Sequence, residues 1–93
     1  MPTVYILHSK DLNRFYIGFT TDLIKRLFHH ENPESRKFTA KAKDWAVFLE
    51  IECETDSQGL SIEKHMKKMK SRVFIENLIQ YPEIIERLKE KYS

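Results

Sequence analysis

Two short runs near the start of the chain alternate along a period of two. TVYILHS (3–9) and RFYIGFT (14–20) are β-branched and aromatic, and the polar KDLN separates them. This pattern predicts a hairpin with a loop of about four residues. Pairing Ser9 with Arg14 sets Val4 opposite Phe19, Ile6 opposite Ile17 and His8 opposite Phe15 on one side. The other side then carries Tyr5 opposite Gly18 and Leu7 opposite Tyr16. In this register two tyrosines share a face, and the missing side chain at Gly18 leaves room beside Tyr5. A slip of one residue would part the tyrosines. Apolar residues on both faces predict cover on both.

Beyond the hairpin the period becomes helical. Thr20, Thr21 and Asp22 are N-cap candidates for a helix running to about Glu31, with Leu23, Ile24, Leu27 and Phe28 as its apolar stripe. Residues 32–44, opened by Asn32-Pro33, read as a long loop. WAVFLEIEC (45–53) reads as a strand with Val47, Leu49 and Ile51 on one face, and Trp45 and Phe48 less regular. TDSQG (55–59) opens a helix of roughly 58–70 with Leu60, Ile62, Met66 and Met69 apolar. Another helical stretch carries Phe74, Ile75, Leu78 and Ile79, and Pro82 starts a last one bearing Ile84, Ile85 and Leu88. The order ββαβααα predicts an α+β fold, a small three-stranded antiparallel sheet flanked by helices.

Composition narrows the class. A chain of 93 residues, 41% hydrophobic and 32% charged, is expected to form one globular domain over 1–93, with a C-terminal helix at 82–92. It has no apolar run long enough for a membrane helix and no signal-peptide pattern at its start. The single cysteine, Cys53, forms no internal disulfide, so a reducing, cytoplasmic location is the expectation. One cysteine and four scattered histidines lack the paired spacing of a structural zinc site.

The net charge of +2 says less than its distribution. Arg36, Lys37, Lys41 and Lys43 form one acid-free stretch, and Lys64, Lys67, Lys68, Lys70 and Arg72 another. Either could be plain solvated surface. Together, on a nearly neutral chain, they suggest a basic face rather than a uniform coat.

Candidate chemistry is sparse. Arg26 and His30 stand four apart on the 22–31 helix and project from one side, about 6 Å apart along its axis. The ordinary account is an exposed helix surface with Arg26 paired to Asp22. Glu63 is a carboxylate in a basic helix, where the ordinary account is a pair with Lys67, contributing about 0.3–0.5 kcal/mol. Tyr5 and Tyr16 could be sheet aromatics. Taken together the five suit phosphodiester cleavage, which needs a clamp for phosphate, a metal for developing oxygen charge, and a base for water. Arginine contacts phosphate bidentately, and one carboxylate can hold a hydrated Mg²⁺.

TVY at 3–5, YIG at 16–18, Arg26 and His30 in TTDLIKRLFHHE, and Glu63 in LSIEKHMKKMK resemble the GIY-YIG nuclease superfamily. They are most similar to its small single-domain bacterial proteins, which are related to the N-terminal nuclease domain of the repair excinuclease. The likeness runs over about residues 3–79. Thr3 and Val4 depart from the name motif, at positions whose side chains carry no chemistry. The resemblance implies Tyr5 as general base and Tyr16 as a residue orienting the nucleophile or phosphate. It implies Gly18 as a point of close approach, Arg26 as the phosphate clamp and His30 as a proton-transfer or phosphate-contacting group. Glu63 would hold a single Mg²⁺ or Mn²⁺, and Asn77 is the asparagine at a suitable distance after it.

The function so implied is a metal-dependent DNA endonuclease or nicking enzyme, in DNA repair or processing. Lys64, Lys67 and Lys68, with the 36–43 basic stretch, would contact the nucleic acid. The alternative is a nucleic-acid-binding module that keeps the nuclease fold with little activity of its own. A third reading, an interaction scaffold, requires Tyr5, Tyr16, Arg26 and Glu63 to be dispersed. Monomer and dimer both suit a chain this short.

Overall fold

The hairpin forms in the register that its alternation dictates. A computed structural model of the chain describes residues 2–25, 44–69 and 71–93. Strands β1 (Thr3–Ser9) and β2 (Arg14–Thr20) pair antiparallel, from Ser9 opposite Arg14 to Thr3 opposite Thr20. Asn13 closes the turn at φ 52°, a left-handed conformation that asparagine tolerates. The Ser9 hydroxyl accepts from the Leu12 N–H at 3.1 Å and donates to an Asp44 oxygen at 2.6 Å. The second Asp44 oxygen accepts from the Asp11 N–H at 3.0 Å, which ties the hairpin loop to the chain entering the third strand.

That strand, β3 (Ala46–Glu52), pairs antiparallel with the other edge of β1, giving the order β2-β1-β3. Ile6 lies opposite Leu49 but Leu7 lies opposite Val47, so Phe48 is the extra residue of a bulge. The bulge corrects the expected alternation. Leu49 and Ile51 face the side of Ile6 and Val4, whereas Val47 turns to the side of Leu7 and is 41% exposed. Phe48 packs edge-on against Phe15 at 4.9 Å between ring centres, and His8 lies 4.7 Å from Phe15.

After β2, residues 23–25 are helical. Of the three cap candidates Asp22 fills the role, its carboxylate accepting from the Lys25 N–H at 3.1 Å. Ile24, expected in an apolar stripe, is 84% exposed, while Leu23 is half-buried. The rest of the expected helix and nearly all of the 32–44 loop lie outside the described residues.

Three helices follow β3. Helix α1 (Asp56–Met69) starts earlier than its apolar spacing predicts, because Thr55 caps it. The Thr55 hydroxyl oxygen accepts from the Gln58 N–H at 3.0 Å, and the Gln58 carboxamide oxygen accepts from the Glu54 N–H at 2.8 Å. Helix α2 (Arg72–Gln80) is capped by Ser71, whose hydroxyl accepts from Phe74, and α3 (Glu83–Lys91) follows Pro82. The Gln58 amide donates to the Lys89 carbonyl at 3.0 Å, docking the end of α3 on the start of α1.

The core lies between the Val4–Ile6–Ile51 face of the sheet and Ile62, Met66, Ile75 and Leu78 of α1 and α2. Leu60, Met69 and Ile79, expected among the apolar stripes, are about half exposed. Three short helices on a three-stranded sheet bury only a narrow strip of each, so apolar residues beside the strip stay at the surface. Cys53 is buried at the end of β3, its thiol 3.6 Å from the Ile51 carbonyl, and burial pushes that thiol's pKa up. No described helix is long and apolar enough to cross a membrane.

Candidate active site

The two tyrosines meet as the hairpin register requires. Tyr5 and Tyr16 project from the sheet face opposite the helical core, with ring centres 6.3 Å apart. Tyr5 is wholly buried and Tyr16 half-buried, the latter also 6.5 Å from the Trp45 ring. Tyr5 leans sideways across its cross-strand partner. A Cβ at Gly18 would lie 2.4 Å from both the Cζ and the hydroxyl oxygen of Tyr5, so only glycine admits the ring there. Because β2 is an outer strand of the described sheet, this lean carries the Tyr5 hydroxyl towards the β2 edge.

Glu63 approaches that edge from the other face. Helix α1 lies against β2 through Gly59, where a Cβ would lie 2.3 Å from the Phe19 ring. Further along, Met66 and Lys67 line a groove of about 580 Å³ together with Phe15, Tyr16 and Ile17. Gly59 to Met66 is a rise of about 10 Å along a helix. Phe19 to Tyr16 is also about 10 Å along a strand. The helix therefore runs antiparallel to β2, and Glu63, midway, comes level with Ile17 and Gly18. Its angular position falls between Gly59 and Lys67 on the helix wheel, on the flank facing β2. The Glu63 side chain is 19% exposed and pairs with Lys67 at 3.7 Å. The edge of β2 at Gly18 thus has the Tyr5 hydroxyl over one face, while the helix that carries Glu63 lies against the other face of the same strand.

Arg26, His30, Arg36, Lys37, Lys41 and Lys43 lie outside the described residues. Asn77, half-buried on α2, does not line the groove; its carbonyl accepts from the Tyr81 N–H at 2.7 Å and closes the helix. The Lys64–Lys68 run divides instead of forming one face. Lys67 opens onto the groove, while Lys64 and Lys68 line a separate hollow on the far flank of α1.

The groove also holds two cations outside the expected site, Arg14 and Arg72. Arg14 was legible, since it lies two positions before Tyr16 and so shares its face. Arg72 donates to the backbone and side-chain oxygens of Asn13, pairs with Glu76 at 3.2 Å and lies 5.5 Å over the Phe15 ring. Nothing in the local pattern couples it to a turn so distant in sequence.

Of the expected site residues that are described, Glu63 alone is a carboxylate. Among the described residues no three His, Cys, Asp or Glu side chains gather. A lone, partly exposed Glu63 fits a hydrated Mg²⁺ or Mn²⁺, which keeps most of its waters, and does not fit a closed zinc site. A family model described as the GIY-YIG catalytic domain matches residues 1–77. No curated protein and no solved structure matches the chain.

Proposed function

The chain belongs to the GIY-YIG catalytic-domain family, a nuclease family, and on that premise we propose that it is a metal-dependent DNA endonuclease or nicking enzyme. The supporting observation is the Gly18 edge, which Tyr5 leans across with Tyr16 beside it, while the helix that carries Glu63 packs against the same strand through Gly59. In this reading Glu63 holds Mg²⁺ or Mn²⁺. The ion supplies positive charge for oxygens that become more negative as phosphate is attacked. Tyr5 would take the proton of the attacking water as a tyrosinate, a form that a neighbouring positive charge favours. Tyr16 orients water and phosphate, Arg26 clamps the phosphate through paired N–H donors, and His30 contacts phosphate or moves a proton. Hydrolysis leaves two DNA ends, as in repair or processing, in a reducing cytoplasm that suits the free Cys53.

The test is cleavage of plasmid and branched DNA with Mg²⁺ or Mn²⁺. Wild type is expected to nick or cut, and Glu63→Ala, Arg26→Ala and Tyr5→Phe to lose at least about 100-fold in rate. Wild type without metal-dependent cleavage, or variants that cleave equally, would overturn the proposal. The second reading, a binding module with little activity, draws on two observations. Tyr5 has no exposed surface, and the Glu63 carboxylate is engaged by Lys67. It predicts DNA binding by wild type with no cleavage under any metal.

A further inference from the structure

On the flank of α1 away from the groove, the structure contains a second cationic feature. A hollow of about 710 Å³ is lined by Ser61, Lys64, His65 and Lys68 of α1 and by Lys91 and Tyr92 at the end of α3. Three ammonium groups border it, and no carboxylate does among the described residues. Like charges brought together on a small protein repel one another, so their gathering is a cost that an anionic occupant would relieve.

The hollow has fixed walls. His65 Nδ1 and the Tyr92 hydroxyl are hydrogen-bonded at 2.9 Å, and their rings meet edge-on at 5.8 Å. The Lys91 ammonium stands 5.5 Å over the Tyr92 ring, which keeps its charge at the mouth. Gln58 bonds the Lys89 carbonyl and anchors the same end of α3. Lys91 and Tyr92 lie beyond residues 1–77, so one wall of the hollow is built by a helix outside the family match.

We propose that this hollow is a second nucleic-acid contact, separate from the cleavage edge, in which Lys64, Lys68 and Lys91 hold backbone phosphates of the substrate away from the cut. It rests on the nuclease reading only for the choice of nucleic acid as the anion. Lysines are suited to it, since they contact phosphate as mobile point charges without reading sequence. The site would let a chain this small hold its substrate at two places, on two flanks of one helix.

The test measures binding and not cleavage, so it stands whether or not the protein cuts. Anisotropy of a labelled DNA duplex is followed in EDTA over a range of KCl concentrations. Wild type is compared with the Lys64→Gln/Lys68→Gln/Lys91→Gln triple variant and with the corresponding triple arginine variant. The glutamine variant is expected to bind at least about tenfold more weakly, with a salt slope shallower by about three. The arginine variant, with the same charge, should match wild type, which separates lost contacts from lost folding. Unchanged affinity and slope in the glutamine variant would overturn the proposal. So would wild-type binding to phosphatidylserine-containing vesicles that needs the three lysines while DNA binding does not, since the hollow would then serve a lipid surface.

Discussion

The ring of Tyr5 occupies the space that a side chain at Gly18 would need. The two residues are direct cross-strand partners, so neither can yield without moving a strand. Gly18→Ala is expected to displace Tyr5 and cost about 1–3 kcal/mol of stability, as overpacking does. A shift of about 1 Å in a reacting group can cost 100-fold in rate. Cleavage should therefore fall by about that much while urea unfolding still shows a cooperative transition. An alanine variant with wild-type cleavage would remove Tyr5 from the reaction.

Gly59 plays the same part on the other side of the sheet, against Phe19. Replacing a glycine in a helix by alanine ordinarily stabilises by up to about 1 kcal/mol. Here the added methyl would meet the Phe19 ring at 2.3 Å, and overpacking of about 1–3 kcal/mol should win. Gly59→Ala is expected to lower the urea midpoint and to reduce cleavage, because it lifts the helix that carries Glu63. A rise in midpoint would show that α1 adjusts freely.

Arg72 fastens the hairpin turn to α2 through both oxygens of Asn13 and through the face of Phe15. Lysine keeps the charge but not the fork or the flat stacking surface. Arg72→Lys is expected to cost about 1 kcal/mol. Asn13→Ala should cost about 1–2 kcal/mol, losing a hydrogen bond and placing alanine at positive φ. A double variant that loses no more than the larger single loss would confirm that the two act as one clasp.

Two groups give stability a slope with pH. Asp44 has its pKa lowered from 3.8, first by the Ser9 hydroxyl and then by the Asp11 N–H. Its folded pKa lies below the unfolded one, so its contribution is present above the unfolded value and lost as pH falls through the folded one. His65 has its pKa lowered from 6.5, first by burial and then by Lys91 and Lys68. The fold therefore prefers His65 neutral, and stability falls as pH drops below 6.5. Thermal unfolding scanned over pH should lose its slope just below 6.5 in His65→Gln, and part of its slope below 3.8 in Asp44→Asn.

The hairpin and its tyrosine pair were legible because a period of two leaves little freedom. Once Ser9 faced Arg14, the tyrosine pair and the gap at Gly18 followed. Beyond the hairpin the same logic weakened. The bulge at Phe48 flips Val47 without changing the apolar composition of the strand, so no alternation count reveals it. The lysines of α1 read as one basic run, yet adjacent helical positions diverge by about 100°, and the groove and the hollow divide them. The clasp between Arg72 and Asn13, the Asp44 tie to Ser9 and the seat of Tyr92 on His65 all join residues far apart in the chain. No local pattern carries such pairs.

The buried Cys53 thiol, at the junction of β3 with the helical layer, gives the protein an intrinsic clock. Closed off from solvent and held in its protonated form by burial, it is inert towards disulfide reagents while the fold is intact. Each reaction with such a reagent therefore counts an opening of the core. The frequency of those openings can be read in native buffer, with no engineered label and no denaturant.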